Sequence, residues 1–105
     1  MVVTFEEEYL KDLYEKGKCP DKKHRYQPKV IEKYQRRVDT LQSVETPEKL
    51  FQFRSLHFEA LKGDKVGRYS IRVDLKYRIE FTLNTTEEEP VIIICNIVEL
   101  SNHYD

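Results

Sequence analysis

Residues 69 to 83 carry two apolar alternations of period two with almost nothing between them. Tyr69, Ile71, Val73 and Leu75 share one side of a first strand, because successive strand side chains point to opposite faces. Ser70, Arg72 and Asp74 take the other side. Tyr77, Ile79, Phe81 and Leu83 repeat the pattern inward, with Arg78, Glu80 and Thr82 outward. Two short strands this close in sequence form an antiparallel hairpin. If both apolar rows enter one core, Arg72 and Arg78 stand together on the opposite face. Two arginines side by side outside a core suggest an anion site.

The rest of the chain supplies that core. Val2 to Phe5 reads as a short first strand. From Phe5, the spacing Phe5, Tyr9, Leu13 together with Leu10 and Tyr14 predicts a helix that stops at Gly17. Lys18 to Tyr26 is a polar, basic loop, and Pro28 suits the first turn of a second helix. In that helix Val30, Ile31, Tyr34, Val38 and Leu41 form one apolar stripe, with Lys29, Lys33, Arg36 and Arg37 mostly away from it. Pro47 marks a break before a short helical turn over Glu48 to Phe51. A strand around Ser55 to Ala60 then leads through Gly63-Asp64 into the hairpin. Asn84 to Pro90 is a polar, acidic turn, and Val91 to Leu100 is apolar enough to be a strand covered on both faces. The expected fold is α+β, with residues 1–105 as one domain. Two N-terminal helices pack on one face of a mostly antiparallel sheet of about four strands, and the other sheet face stays open.

Composition narrows the class. Of 105 residues 39% are hydrophobic and 35% charged, as in a folded globular chain. Val91 to Cys95, the longest apolar run, is far too short to span a bilayer. The acidic start MVVTFEEEYL lacks the basic and apolar regions of a signal peptide, so a cytoplasmic protein with no membrane partner is expected. Cys19 and Cys95 do not make a disulfide framework, and Cys95 lies in an apolar run as a buried thiol. A net charge of −1 conceals strong segregation. Residues 16 to 37 hold nine Lys or Arg against two acids, and residues 54 to 78 hold seven against three. Acids collect in Glu6-Glu7-Glu8 and Glu87-Glu88-Glu89. Most such runs are solvated faces, but the segregation leaves room for a local basic surface.

Most cofactor chemistry finds no footing. His24, His57, His103, Cys19 and Cys95 are scattered, without the paired spacings of a zinc site. Gly63 and Gly67 belong to turns rather than to a phosphate loop, and no serine nucleophile elbow is present. No cofactor is expected. What remains is a polar set converging on the open sheet face: Glu59, Lys62, Arg72, Arg78 and the terminal His103-Tyr104. A carboxylate, an imidazole and fixed guanidinium groups are what cleavage of an RNA phosphodiester by its own 2′-hydroxyl requires. One group takes the 2′-OH proton, another protonates the leaving 5′-oxygen, and cations hold the charge gathering on phosphorus.

At these residues the chain resembles the RelE superfamily of bacterial toxins, and within it the HigB and YoeB branches. The resemblance rests on Leu61-Lys62-Gly63-Asp64, on Gly67-Arg68-Tyr69-Ser70-Ile71-Arg72-Val73, on Tyr77-Arg78-Ile79, and on the ending Glu99-Leu100-Ser101-Asn102-His103-Tyr104. It implies a RelE/ParE-like fold and a toxin of a type II toxin–antitoxin system. The implied activity is ribosome-dependent, metal-independent cleavage of mRNA in the ribosomal A site, restrained by a cognate antitoxin. By the same resemblance Glu59 is the candidate general base, with His57 as substitute or helper on the same strand face. Arg72 and Arg78 hold the scissile phosphate, His103 is the general acid, and Tyr104 orients or stacks on a base. His57, Lys62, Lys65 and Arg68 are expected to bind substrate. The alternative is a non-nuclease toxin of the ParE type, which poisons DNA gyrase, or an inactive antitoxin-binding domain. Glu59 with His103-Tyr104 favours cleavage.

Overall fold

In the computed structural model, which describes residues 1–102, two helices cover one side of a five-stranded mixed sheet. The order along the chain is β1 (Val2–Phe5), α1 (Glu8–Lys16), α2 (Pro28–Ser43), β2 (Glu59–Ala60), β3 (Tyr69–Arg72), β4 (Tyr77–Thr85) and β5 (Ile93–Asn102), with short 3₁₀ turns between. Across the sheet the strands run β1-β5-β4-β3-β2, and only β1 is parallel to its neighbour. Among the described residues no helix is long and apolar enough to cross a membrane.

Each helix follows from its apolar spacing. Tyr9, Leu10 and Leu13 bury one side of α1, and Val30, Tyr34, Val38 and Leu41 bury one side of α2. The helix expected from Phe5 begins at Glu8 instead. Glu6 gives its N–H to the Ile97 carbonyl at 2.8 Å, which keeps Phe5 in the sheet, where its ring stacks on Tyr14. Gly17 ends α1 in the left-handed region, φ 71°, where glycine escapes the Cβ clash. The two helices are stitched by polar groups. Tyr34 donates to the Leu10 carbonyl at 2.7 Å, and the Gln35 amide donates to the Leu13 and Tyr14 carbonyls that the end of α1 leaves unpaired.

Both stripes pack on Ile71, Val73, Ile79, Phe81, Cys95, Ile97 and Leu100 to make one core. Burial of that much apolar surface dominates the stabilisation. Cys95 is fully buried, and burial pushes its thiol up to about 12. Two details of the expected strands differ. Leu75 is not inward: it is 72% exposed at the tip of the turn joining β3 to β4. The Asp74 carboxylate accepts the backbone N–H groups of Lys76 and Tyr77, each at 2.8 Å, and this local turn ends the alternation after Val73. The strand expected from Ser55 shrinks to Glu59–Ala60, because Arg54–Leu56 winds into a 3₁₀ turn and His57 follows in the left-handed region at φ 47°.

Candidate active site

On the face that the helices leave uncovered, the strand registers line up polar side chains. Arg72 stands directly opposite Arg78, Ser70 opposite Glu80, and Glu59 opposite Ser70. Residues opposite each other across a ladder share a face, so the predicted pairing of the two arginines holds. Phe58 sets the direction of Glu59. Its ring stacks on Tyr69 and Phe81 on the core side, which turns the next residue to the opposite face. From there the Glu59 carboxylate accepts a hydrogen bond from the Arg78 guanidinium at 3.1 Å, and Arg78 also reaches the Ser70 hydroxyl at 3.4 Å. Arg72 makes no ion pair among the described residues.

Glu80, expected outward, is on that face but buried. Its side chain is 3% exposed under Lys65 and Arg68, which reach its two oxygens at 2.8 and 3.0 Å. Burial alone would raise the Glu80 carboxyl. Hydrogen bonds from Lys65, Ser101 and Arg68, with the charge of Lys65, outweigh it and hold the group below its ordinary value. Arg68 also approaches Glu99 at 3.5 Å. Lys65 and Arg68, expected to bind substrate, are thus committed to carboxylates of the sheet. They tie the loop 61–68 down over β4. Nothing in local periodicity marks Glu80 for this role. The available signal was the pair of cations 15 and 12 residues before it, beyond reach until the loop folds back.

An irregularity in β5 completes the arrangement. Glu80 faces Glu99 and Phe81 faces Ile97, so Val98 has no opposite number on β4. This bulge changes the parity of the strand. Before it Cys95 and Ile97 enter the core; after it Leu100 does, while Glu99 and Ser101 turn to the polar face. The apolar run expected to be covered on both faces therefore has a polar side in its second half. A depression lined by Leu61, Lys65, Arg78, Glu80, Glu99, Ser101 and Asn102 results, of about 320 Å³.

The remaining expected residues fall elsewhere. Lys62 is exposed at the start of the turn over Gly63–Lys65. His57 does not share the strand face of Glu59, since its left-handed backbone precedes β2 and breaks the alternation. It lines a second, larger cleft with Arg72. His103 and Tyr104 lie outside the described residues. Asn102, just before them, pairs with Tyr77 and lines the depression beside Arg78.

That second cleft, of about 840 Å³, lies between α2 and the tip of the β3–β4 hairpin. Arg25, Lys33, Arg37, His57, Arg72 and Lys76 line it, so the two basic segments of the sequence meet there. Arg37 is half-buried and donates through Nε to the Arg72 carbonyl at 2.9 Å, which ties α2 to the end of β3. Burial, and then the neighbouring charge of Arg36, lower its pKa, which marks a guanidinium short of compensation. Sequence reading singled out Arg72 and His57 here as site residues, and Lys33 and Arg37 only as members of a basic run.

Comparison with known proteins accords with this geometry. A family profile described as RelE-like toxin of type II toxin–antitoxin system HigB matches residues 3–93. A search of curated proteins finds no match. Among solved structures, the YoeB/ParE toxin from Agrobacterium tumefaciens is 15% identical, with a TM-score of 0.56 over 99% of this chain and 100% of that one. The YoeB–YefM complex from Staphylococcus aureus has a chain 21% identical, with a TM-score of 0.56 over 99% of this chain and 98% of its own. At these identities the two structures show the shared fold, and the profile covers most of the sequence. The chain belongs to the HigB-like family of RelE-like toxins of type II toxin–antitoxin systems.

Proposed function

We propose that this toxin is a ribosome-dependent mRNA endonuclease acting in the cytoplasm, and that it cleaves by attack of the RNA's own 2′-hydroxyl. The observation that carries the reading is the Glu59–Arg78 contact at 3.1 Å beside Arg72 on the uncovered sheet face. Two arginines directly opposed on a ladder repel each other, and a phosphate between them turns that cost into binding. Glu59 takes the 2′-OH proton as the 2′-oxygen bonds to phosphorus. The bond from phosphorus to the 5′-oxygen breaks, and His103 gives that oxygen a proton. Arg72 and Arg78 carry the charge that gathers on the phosphoryl oxygens. The products are a 2′,3′-cyclic phosphate and a free 5′-hydroxyl. The nucleophile belongs to the substrate and the arginines supply the positive charge, so the reaction needs no metal. Tyr104 stacks on or orients a base, and exposed Lys62 adds positive charge at the rim.

The partner under this reading is a cognate antitoxin, as membership in a family of type II toxin–antitoxin systems implies. The Staphylococcus aureus relative is recorded in complex with YefM. The test is primer extension on message bound to translating ribosomes, with purified protein. New 5′ ends that vanish with Arg78→Ala are expected. Intact message, alongside growth arrest that Arg78→Ala leaves unchanged, would overturn the nuclease reading in favour of a toxin without nuclease activity.

A further inference from the structure

The last stretch of β5 has a neighbouring strand on one side only. β1 pairs with Ile94 to Ile97, and Glu6 closes that ladder by giving its N–H to the Ile97 carbonyl. From Val98 to Asn102 the strand keeps β4 on one side and, among the described residues, has no strand on the other. Backbone groups at such an edge are left to water, and strand ends held from one side fray. Here side chains fill the place of the absent strand. The Leu100 side chain enters the core, while its peptide groups meet two phenols. The Tyr26 hydroxyl donates to the Leu100 carbonyl at 3.0 Å. Burial pushes the Tyr9 phenol up to about 12, and the Leu100 N–H, a donor to the phenol oxygen, acts against that rise. Both rings are braced in turn. Tyr9 is 8% exposed on α1, and the His24 ring stacks on it with centroids 3.5 Å apart. Asp21 holds His24 at 2.8 Å. The Tyr26 ring meets Tyr77 edge-on at 5.5 Å, and Tyr77 is the residue opposite Asn102. The polar loop after α1 therefore supplies one phenol and locks the other.

We infer that Tyr9 and Tyr26 are positioning residues for cleavage, because they fix the end of β5 that leads directly into His103. The inference rests on the nuclease reading, in which His103 protonates the leaving 5′-oxygen. Neither tyrosine lines the depression beside Arg78, so each acts through the backbone it holds. A proton donor works only within hydrogen-bond reach of its acceptor, and a misplacement of about 1 Å costs on the order of a hundredfold in rate. Asn102 is the residue before His103, and Leu100, just before it in the same strand, is gripped from both sides. β4 holds one side of Leu100 through the ladder, and the phenols hold the other. Deleting a hydroxyl frees one side of the strand without touching Glu59, Arg72 or Arg78. The loss therefore falls on the proton transfer to the leaving group and spares substrate binding.

The test compares two synthetic messages on ribosomes, one ordinary and one with sulfur in place of the scissile 5′-oxygen. When the phosphorus–sulfur bond breaks, the thiolate leaves without a proton, so no general acid is needed. Tyr26→Phe keeps the ring against Tyr77 and deletes the hydroxyl, and Tyr9→Phe does the same beneath His24. Tyr14→Phe, whose hydroxyl meets Asp39 rather than β5, is the control. Circular dichroism checks the fold of each variant. On the ordinary message Tyr26→Phe and Tyr9→Phe should each lower kcat about tenfold or more, with KM within about twofold of wild type. His103→Ala should lower it further. On the sulfur message all three should return to within about threefold of wild type. Amide exchange at Leu100 to Asn102 should quicken in both tyrosine variants while the rest of the sheet is unchanged. Equal losses on the two messages overturn the inference, because the phenols then serve folding or binding alone. So does undiminished cleavage of the ordinary message by both tyrosine variants. A His103→Ala loss that sulfur does not restore overturns it too, since no proton donor is then left to position. Wild-type protein that cuts neither message removes the nuclease reading, and this inference with it.

Discussion

Arg78 and Glu59 form an unequal pair: the guanidinium is 15% exposed, while the carboxylate that accepts from it at 3.1 Å is 54% exposed. Such a pair contributes about 0–1 kcal/mol to stability, because solvent screens the open partner. Folding therefore depends little on it. Glu59→Gln, which keeps the shape and the acceptor oxygen, is expected to shift the thermal midpoint by no more than a few degrees. Cleavage of ribosome-bound message should fall about a hundredfold or more, the scale of a lost general base. Wild-type cleavage by this variant, measured in single turnover, would remove Glu59 from the chemistry.

Arg72 and Arg78 are expected to be separable from folding as well. Neither is wholly buried, and removing one relieves repulsion from the other. Arg72→Ala and Arg78→Ala should each relieve growth arrest when the toxin is expressed without antitoxin, with rate losses of about a hundredfold or more. Arg78→Lys should recover little, since an ammonium cannot offer the planar fork that spans two phosphoryl oxygens. Circular dichroism of the purified variants checks that the fold survives.

Glu80 is a prediction about acid stability. Its carboxyl is held below the ordinary value of 4.5, so the folded protein binds its proton more weakly than the unfolded chain does. The stabilisation is therefore fully present above that ordinary value and is lost as pH falls through the lowered one. Glu80→Gln should cost about 2 kcal/mol at pH 7, the scale of hydrogen bonds to a charged group, since Lys65 and Arg68 can turn back to water. The gap between wild type and variant should narrow steadily in urea titrations from pH 5 to pH 2. A gap that stays constant would mean that Glu80 acts through packing alone.

The two thiols should differ in reactivity. Cys95 is fully buried, with its thiol raised to about 12, whereas Cys19 is partly exposed. An aromatic disulfide reagent at pH 8 is expected to modify Cys19 in the native protein and to reach Cys95 only after unfolding, as read by mass spectrometry.

The paired arginines were legible because period-two alternation needs only a strand, and the turn between β3 and β4 is short enough to set their register. The apolar stripe of α2 was legible for the same kind of reason. Glu80 was not, because its partners reach it only after a loop folds back across the sheet. His57 was placed on the wrong face because a left-handed backbone at a non-glycine residue leaves no mark in the sequence. The basic runs 16–37 and 54–78 were each visible as charge, but their meeting at one cleft is a property of topology. Val98 looked like any other residue of an apolar strand, and the shift it causes depends on what β4 offers opposite.

That single unpaired residue has a wider consequence. It divides β5 into two reading frames: odd positions face the core before it and even positions face the core after it. A charged residue is ruinous at position 97 and at home at 99; a leucine at 100 is structural, whereas at 101 it would sit among the site's polar groups. Loss of Val98 itself would leave both halves as they are on a uniform strand, whereas a strand that kept every residue and lost the bulge would exchange the polar floor of the sheet for its interior.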